Sequence, residues 1–121
     1  MHELSIAQAI IDSAVQELEA GQRVLMLRLQ LGPLSGVVEE ALRFSFDLAT
    51  QDTPLQGCRL DVQTVPVTLY CADCRRITQP PELYRLVCAD CQKPSSDVRS
   101  GRELLIIAME VDDEPANSRT S

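Results

Sequence analysis

Two identical cysteine pairs give this 121-residue chain its clearest chemical signal. Residues 71–74 and 88–91 both read Cys-Ala-Asp-Cys. At this spacing a tight turn, which we call a knuckle, lets two thiolates bind one ion while backbone N–H groups point at the sulfurs. Two knuckles supply all four ligands of a tetrahedral site and leave no open position. We therefore predict a structural metal ion whose ligands are Cys71, Cys74, Cys88 and Cys91.

Zinc is the ion we expect in this site, although iron in a rubredoxin-type site has the same ligand set. A thioredoxin-like redox pair would need a single Cys-x-x-Cys opening a helix, not two matched pairs with Arg75 and Arg76 between them. The segment is too poor in apolar residues for a core of its own, so metal binding would supply its folding energy. The remaining cysteine, Cys58, lies on a predicted strand and is interpreted as a small buried apolar side chain.

A second set of metal ligands is possible at the amino terminus, where the only histidine is the second residue. The α-amine of Met1, the amide nitrogens of His2 and Glu3 and the imidazole of His2 can together form a planar N4 set, which suits Ni(II) or Cu(II). The Glu3 carboxylate could bind axially or contact the ligands. Because these nitrogens must lose protons, affinity should fall on acidification. A lone histidine is more often a surface or structural residue, so position alone leaves both interpretations open.

The periodicity of apolar residues predicts the elements that must position these groups. A helical pattern covers residues 4–20 and ends at Gly21, and a second helix is predicted near Val37–Thr50. Its core side should include Val38, Leu42, Ser45 and Phe46 or Ala49. The alternating pattern of strands is found at residues 23–31, 58–65 and 102–111. In the first strand Leu25, Leu27, Leu29 and Leu31 are predicted to share one face, with Val24 and Met26 on the other.

The order of these elements predicts an α/β (α+β) fold: a small three-stranded sheet with two helices, plus an inserted zinc-ribbon-like domain. The insertion, residues 67–98, lies between the second and third strands and lacks their periodicity. Residues 1–66 and 99–111 would form the main domain. Residues 112–121 have no core-forming side chains and are predicted to be a flexible tail.

Composition excludes several classes of function. The chain has 18 acidic and 11 basic residues and a formal net charge of −7, which argues against binding to a phosphate backbone. We find no secretory signal and no apolar run long enough to cross a bilayer. The sequence therefore predicts a cytoplasmic protein without membrane or nucleic-acid partners, in which cysteines stay reduced. Paired catalytic carboxylates, a nucleophile–base set and a phosphate-binding loop are all missing, so we do not expect an enzyme.

Several separated motifs carry a resemblance to a known family. They are Met1-His2-Glu3-Leu4-Ser5, Gly32-Pro33-Leu34-Ser35-Gly36-Val37, Leu42…Phe44-Ser45-Phe46, the double Cys-x-x-Cys and Ser100-Gly101-Arg102-Glu103-Leu104. In this order, over residues 1–111, the chain resembles the HypA/HybF family of nickel metallochaperones in [NiFe]-hydrogenase maturation. Departures are Ala89 and Gln92, where the family commonly has Pro and Gly, and Cys58, where Ala is usual.

The resemblance implies nickel as a transferred cargo and zinc as a structural ion. Nickel would bind at Met1 through its backbone amine and at His2 and Glu3, and zinc at the four knuckle cysteines. The partners implied are a maturation GTPase that handles nickel and the large subunit of a hydrogenase. We expect the chain to be a monomer or a weak homodimer.

An alternative function is a zinc-ribbon module that binds protein or nucleic acid without delivering nickel. Positive charges in and beside the insertion favour this alternative: Arg75, Arg76, Arg85, Lys93 and Arg99. Local charge compensation explains the two arginines beside an anionic zinc–thiolate centre equally well.

Overall fold

The fold is known from a computed structural model, in which residues 3–112 are described. Within these residues two α-helices and six strands follow one another as α1 (Glu3–Gln16), β1 (Arg23–Leu31), α2 (Glu39–Ala49), β2 (Arg59–Thr64), β3 (Thr68–Cys71), β4 (Arg76–Thr78), β5 (Val98–Ser100) and β6 (Leu104–Asp112). A single 3₁₀ turn, Pro33–Ser35, precedes α2. The strands form two three-stranded sheets with the orders β2-β1-β6 and β4-β3-β5. The predicted three-stranded sheet with two helices is therefore confirmed.

Helix α1 buries one face at helical spacing, through Ala7, Ile10, Ile11 and Ala14. It ends at Gln16, so the predicted extension to residue 20 is wrong. After Gln16 the N–H groups of Glu17 and Leu18 donate to carbonyls three residues back, which tightens the chain out of the α-helix before Gly21 is reached. Gly21 does adopt a positive φ of 85°, but it lies in the turn that follows.

Helix α2 packs against α1 and buries Leu42 and Phe46, as its periodicity predicts. Val38, also predicted on this face, is 59% exposed. Val38 precedes the first helical residue and has extended backbone angles, so the 3.6-residue period does not include it. Glu39 and Glu40 occupy the first turn, where the positive end of the helix dipole favours acidic side chains.

Strand β1 has the predicted bounds, but its burial pattern changes phase between Met26 and Leu27. Val24 and Met26 are buried, as are Leu27, Leu29 and Leu31, whereas Leu25 is 51% exposed. The prediction that Leu25 shares the buried face is therefore wrong. All four residues from 24 to 27 are apolar, so the sequence does not distinguish the two phases of alternation at this point.

The cysteine-rich segment forms its own antiparallel sheet. Strand β3 pairs with β4 in the register Leu69↔Thr78, Tyr70↔Ile77, Cys71↔Arg76, and with β5 through Thr68↔Ser100 and Leu69↔Val98. These strands have three or four residues, which is too short for an alternating pattern to be recognised in the sequence.

Within the described residues the chain divides into two compact units. The first contains residues 3–29, 37–62 and 105–112, and the second contains residues 30–36 and 63–104. The unit that holds the cysteines is thus wider than the segment 67–98, since it includes the turn after β1. No helix of residues 3–112 has the length and apolar character needed to span a membrane.

Candidate metal centre

The sulfur atoms of Cys71, Cys74, Cys88 and Cys91 all lie within 4.8 Å of one another. The Sγ atoms of Cys71 and Cys91 are 3.6 Å apart, and those of Cys74 and Cys88 are 3.9 Å apart. In a regular tetrahedron with Zn–S bonds of about 2.3 Å, neighbouring sulfurs are about 3.8 Å apart. Both distances are far too long for a disulfide bond. The four thiols therefore fit a tetrahedral metal site.

The two knuckles have the same backbone design. Arg75 and Gln92, the residues that follow the second cysteine of each pair, have positive φ angles of 56° and 62°. Their N–H groups donate to the carbonyl oxygens of Cys71 and Cys88 at 2.7 and 2.9 Å. Gln92 thus adopts the left-handed conformation at the position where the family commonly has glycine, so the missing glycine does not prevent the turn.

Backbone N–H groups point at the sulfurs, as the knuckle geometry requires. The N–H of Cys74 donates to Cys71 Sγ at 3.5 Å, and the N–H of Asp90 donates to Cys88 Sγ at 3.3 Å. Thr78 adds a hydroxyl donor to Cys88 Sγ at 3.8 Å. Such donors stabilise thiolate, the form of cysteine that binds metal.

The thiol pKa values reflect this distribution of donors. Hydrogen bonds from the backbone N–H groups of Cys91 and Asp90 lower the pKa of Cys88 to about 6. The pKa of Cys74 rises to about 12, chiefly because its thiol is hydrogen-bonded to the side chain of Cys91.

Secondary structure places the knuckles in two different ways. The first connects β3 to β4, and Cys71 and Arg76 are direct partners in that hairpin. The second is closed by an isolated bridge between Val87 and Pro94 and by a hydrogen bond of 2.9 Å from Cys88 N–H to the Lys93 carbonyl. Around these turns the apolar core of the unit is small. Its buried apolar residues other than cysteine are Leu31, Val67, Leu69 and Val87.

Three basic residues near the site form ion pairs with aspartates of the same unit. Arg76 Nε donates to Asp90 Oδ2 at 2.6 Å, and Lys93 forms an ion pair with Asp73. Arg99 pairs with Asp97 and lies over the ring of Tyr70, with 4.6 Å between Cζ and the ring centroid. Three of the five basic side chains that favoured nucleic-acid binding are thus engaged within the chain. Sequence reasoning missed Asp73 and Asp90, although both occur at the same place in the repeated Cys-Ala-Asp-Cys motif.

The predicted nickel ligands fall at the edge of the described residues. Met1 and His2 lie outside residues 3–112, and Glu3 is the first residue of α1. Cys58 is half-buried just before β2, away from the knuckles in sequence and in the other compact unit.

The family model described as "Hydrogenase/urease nickel incorporation, metallochaperone, hypA" matches residues 1–111 of the chain. The chain belongs to the HypA family. This family is one of nickel-incorporation metallochaperones rather than of catalysts. The resemblance read from the sequence motifs is confirmed.

Relatives in the HypA family cover nearly the whole chain. Hydrogenase maturation factor HypA of Chloroflexus aurantiacus is 44% identical over 91% of this chain and 98% of its own length. The protein of the same name from Roseiflexus is 37% identical, with full coverage of both chains. The solution structure of the Ni metallochaperone HypA from Helicobacter pylori has a TM-score of 0.62 over 91% of this chain and 97% of its own, at 21% identity. At an identity of 21%, this comparison shows a similar fold and nothing beyond it.

Two of the HypA motifs meet in the unit that holds the cysteines. The N–H of Gly32 donates to the Glu103 carbonyl at 2.8 Å, and the N–H of Leu34 donates to the Gly101 carbonyl at 2.7 Å. The segment after β1 is thereby joined to the Ser100–Leu104 segment, which explains why residues 30–36 belong to this unit.

Proposed function

We propose that this chain binds Ni(II) at its amino terminus and delivers it for [NiFe]-hydrogenase maturation, while the four knuckle cysteines hold a structural zinc ion. The family match over residues 1–111 is the observation that carries the proposal. The two sites have opposite chemistry. Four thiolates enclose their ion completely, whereas a site of backbone nitrogens and one imidazole at a chain terminus can give up its ion to a partner.

The start of α1 at Glu3 supports the nickel site. The first four N–H groups of an α-helix have no acceptor within the helix. The Glu3 amide nitrogen is therefore not required for a helical hydrogen bond and can lose its proton to bind nickel. We propose the Met1 amine, the amide nitrogens of His2 and Glu3 and the His2 imidazole as ligands, with the Glu3 carboxylate beside them.

Delivery needs partners, and we propose a maturation GTPase that handles nickel and the large subunit of a hydrogenase, both in the cytoplasm. The net charge of −7 favours partner surfaces that are basic. The direct test uses cells from which their own gene for this maturation factor is deleted. These cells express either the wild-type chain or the His2→Ala variant, and their hydrogenase activity is measured. Wild type should restore activity and the variant should not.

Nickel binding can be tested with two changes that leave the fold intact. In His2→Ala the imidazole is lost, and one glycine added before Met1 moves the α-amine away from the other nitrogens. Both should abolish stoichiometric Ni(II) binding in isothermal titration, with zinc content unchanged. Glu40→Gln, in the first turn of α2, is the matched control and should bind nickel as wild type does. Retained binding in both test variants contradicts the site.

Position 3 gives a sharper test of the amide ligand. Proline has no amide proton to lose, yet it is well tolerated in the first turn of a helix. Glu3→Pro should therefore eliminate the planar N4 set while preserving α1. Glu3→Ala keeps the amide and loses only the carboxylate, so it should weaken nickel binding much less. Equal effects of the two variants would show that the amide nitrogen is not a ligand.

The zinc assignment rests on sulfur geometry and has its own test. Protein purified without added metal should contain one zinc per chain and be colourless, whereas an iron S4 centre absorbs visible light. Cys91→Ser should lower zinc content, and chelation of the wild-type zinc should unfold the cysteine-containing unit, because metal binding supplies its folding energy.

A further inference from the structure

The two knuckles repeat one another beyond their cysteines. Residues 71–76 and 88–93 both follow the pattern Cys-Ala-Asp-Cys-x-cation, where the cation is Arg76 in the first and Lys93 in the second. The aspartate of each knuckle pairs with the cation of the other: Asp73 with Lys93, and Asp90 with Arg76. These reciprocal contacts connect parts of the chain that are 14 and 20 residues apart.

We infer that the ion pairs Asp73–Lys93 and Asp90–Arg76 are cross-braces, which hold the two knuckles together and slow the loss of zinc. The inference rests on the zinc site of the proposed function. Asp73 and Asp90 are positioning residues in this scheme. They are not metal ligands, and they act on the site by holding the two knuckles together.

Charge compensation alone does not explain the arrangement. A zinc ion with four thiolates carries a net charge of −2, so nearby cations stabilise it and nearby carboxylates destabilise it. A site that needed only compensation would have Arg76 and Lys93 without acidic neighbours. Here each cation is held by an aspartate, and each pair crosses from one knuckle to the other. The presence of the two aspartates beside an anionic centre is therefore explained by the ion pairs that join the knuckles.

The exposure of the cysteines shows where the braces act. Cys71 and Cys88 are buried and Cys74 is half-buried, whereas Cys91 is exposed. A chelator therefore meets Cys91 first, and Lys93 follows it by two residues. Because both braces join the same two knuckles, separating the knuckles breaks both pairs. Asp90, which belongs to the other pair, directly precedes Cys91. Zinc release is therefore opposed by both pairs.

The experiment measures the rate at which the zinc-loaded full chain transfers its zinc to an excess of the chelator 4-(2-pyridylazo)resorcinol. Exposed ion pairs contribute about 0.2–1 kcal/mol, so Asp73→Asn and Lys93→Gln should each accelerate transfer by about 1.5- to 5-fold. The double variant should be no faster than the faster single variant, because both changes remove the same contact. Compensation alone predicts the opposite for the aspartate: Asp73→Asn would slow the transfer.

A charge exchange and a neighbouring arginine complete the design. Asp73→Lys combined with Lys93→Asp restores the pair in the reverse orientation and should bring the rate back toward the wild-type value. Arg75→Gln removes a positive charge next to Arg76, and Gln is the residue at the equivalent position of the other knuckle. Within residues 3–112 the structure gives Arg75 no ion pair, so this variant measures the charge effect alone.

The result that overturns the braces is a zinc-loaded Asp73→Asn variant that releases zinc at the wild-type rate or more slowly. A charge exchange that is no slower than the single variants has the same meaning. Wild-type protein that contains iron or no metal instead overturns the zinc assignment, which metal analysis before each run detects. In the wild-type chain itself, salt raised from about 0.05 M to about 1 M should accelerate transfer more than in the double variant, since salt screens ion pairs.

Discussion

The backbone at Gly32 lies so close to Gly101 that a Cβ atom at position 32 would be 2.1 Å from the Gly101 carbonyl oxygen. The same oxygen accepts a hydrogen bond of 2.7 Å from Leu34, and the Gly101 N–H donates to the Glu103 carboxylate at 2.7 Å. No side chain fits between these two backbone segments. Glycine at position 32 is therefore required by close approach, whatever its φ angle.

We expect Gly32→Ala to lower the free energy of unfolding by about 3 kcal/mol, because the added methyl group meets backbone atoms that cannot move without breaking these hydrogen bonds. Urea unfolding of the metal-loaded protein measures the change. Gly36→Ala is the control: Gly36 has a φ of 82° but nothing within 4 Å of the added Cβ, so only the conformational cost of about 1 kcal/mol applies. Equal losses in the two variants would contradict the close approach.

Two phenylalanines on α2 offer a matched pair for the core. Phe46 is 1% exposed and packs in the interior, whereas Phe44 is 69% exposed. Phe46→Ala should cost about 3–5 kcal/mol of unfolding free energy, since it removes buried apolar contacts and leaves a cavity. Phe44→Ala should change the stability by less than about 0.5 kcal/mol. A larger loss from Phe44→Ala than from Phe46→Ala in urea unfolding would show that the helix faces are wrongly assigned.

Long elements with a clear apolar period could be predicted from the sequence. Strand β1 begins at Arg23 and ends at Leu31 as expected, and Leu42 and Phe46 point into the core. The predicted burial is wrong at Val38 and at Leu25. Val38 precedes the helix, so the helical period does not include it. Around Leu25 the residues of both strand faces are apolar, so the alternation does not show which face is buried. The three short strands of the second sheet depend on partners that are distant in sequence, so local patterns do not reveal them.

The cysteine cluster followed from spacing alone, because the chemistry of metal ligands restricts the arrangement so strongly. The ion pairs beside the cluster could not be predicted in this way. The sequence alone is consistent with Arg76 as a compensating charge, whereas its pairing with Asp90 requires the fold to bring the second knuckle beside the first. The repeat Cys-Ala-Asp-Cys-x-cation was visible in the sequence, but its meaning depends on which aspartate meets which cation.

The left-handed turn at Gln92 provides a stability test in the second knuckle. A residue other than glycine at a φ of 62° carries a cost of about 1 kcal/mol, which glycine avoids, while glycine adds some entropy to the unfolded chain. We expect Gln92→Gly to raise the unfolding free energy of the zinc-loaded protein by up to about 1 kcal/mol. Gln92→Ala keeps the cost and should bring no gain. A loss of stability in both variants would indicate that the Gln92 side chain itself stabilises the turn.

Cys58 is a thiol outside the metal centre, and its pKa predicts its reactivity. Burial and, after it, the negative charge of Asp47 raise the pKa of the Cys58 thiol above its usual value. Near pH 8, below that pKa, the reactive thiolate is the minor form, and a raised pKa makes it scarcer still. Alkylation by iodoacetamide should therefore be slower than for an exposed cysteine and should accelerate as pH rises.

Removing the charge of Asp47 separates its effect from that of burial. In Asp47→Asn the thiolate no longer faces a carboxylate, so alkylation of Cys58 near pH 8 should be faster than in wild type, as measured by mass spectrometry of the peptide that contains it. Asp52→Asn removes the same charge nearby in sequence, from a residue that does not raise this pKa, and should leave the rate unchanged. The raised pKa of Cys58 also affects stability. Because the pKa is higher in the folded protein than in the unfolded chain, it favours the folded protein below the ordinary thiol pKa, and this contribution is lost at alkaline pH as the thiol ionises. If Asp47→Asn alkylates no faster than Asp52→Asn, burial alone controls the thiol.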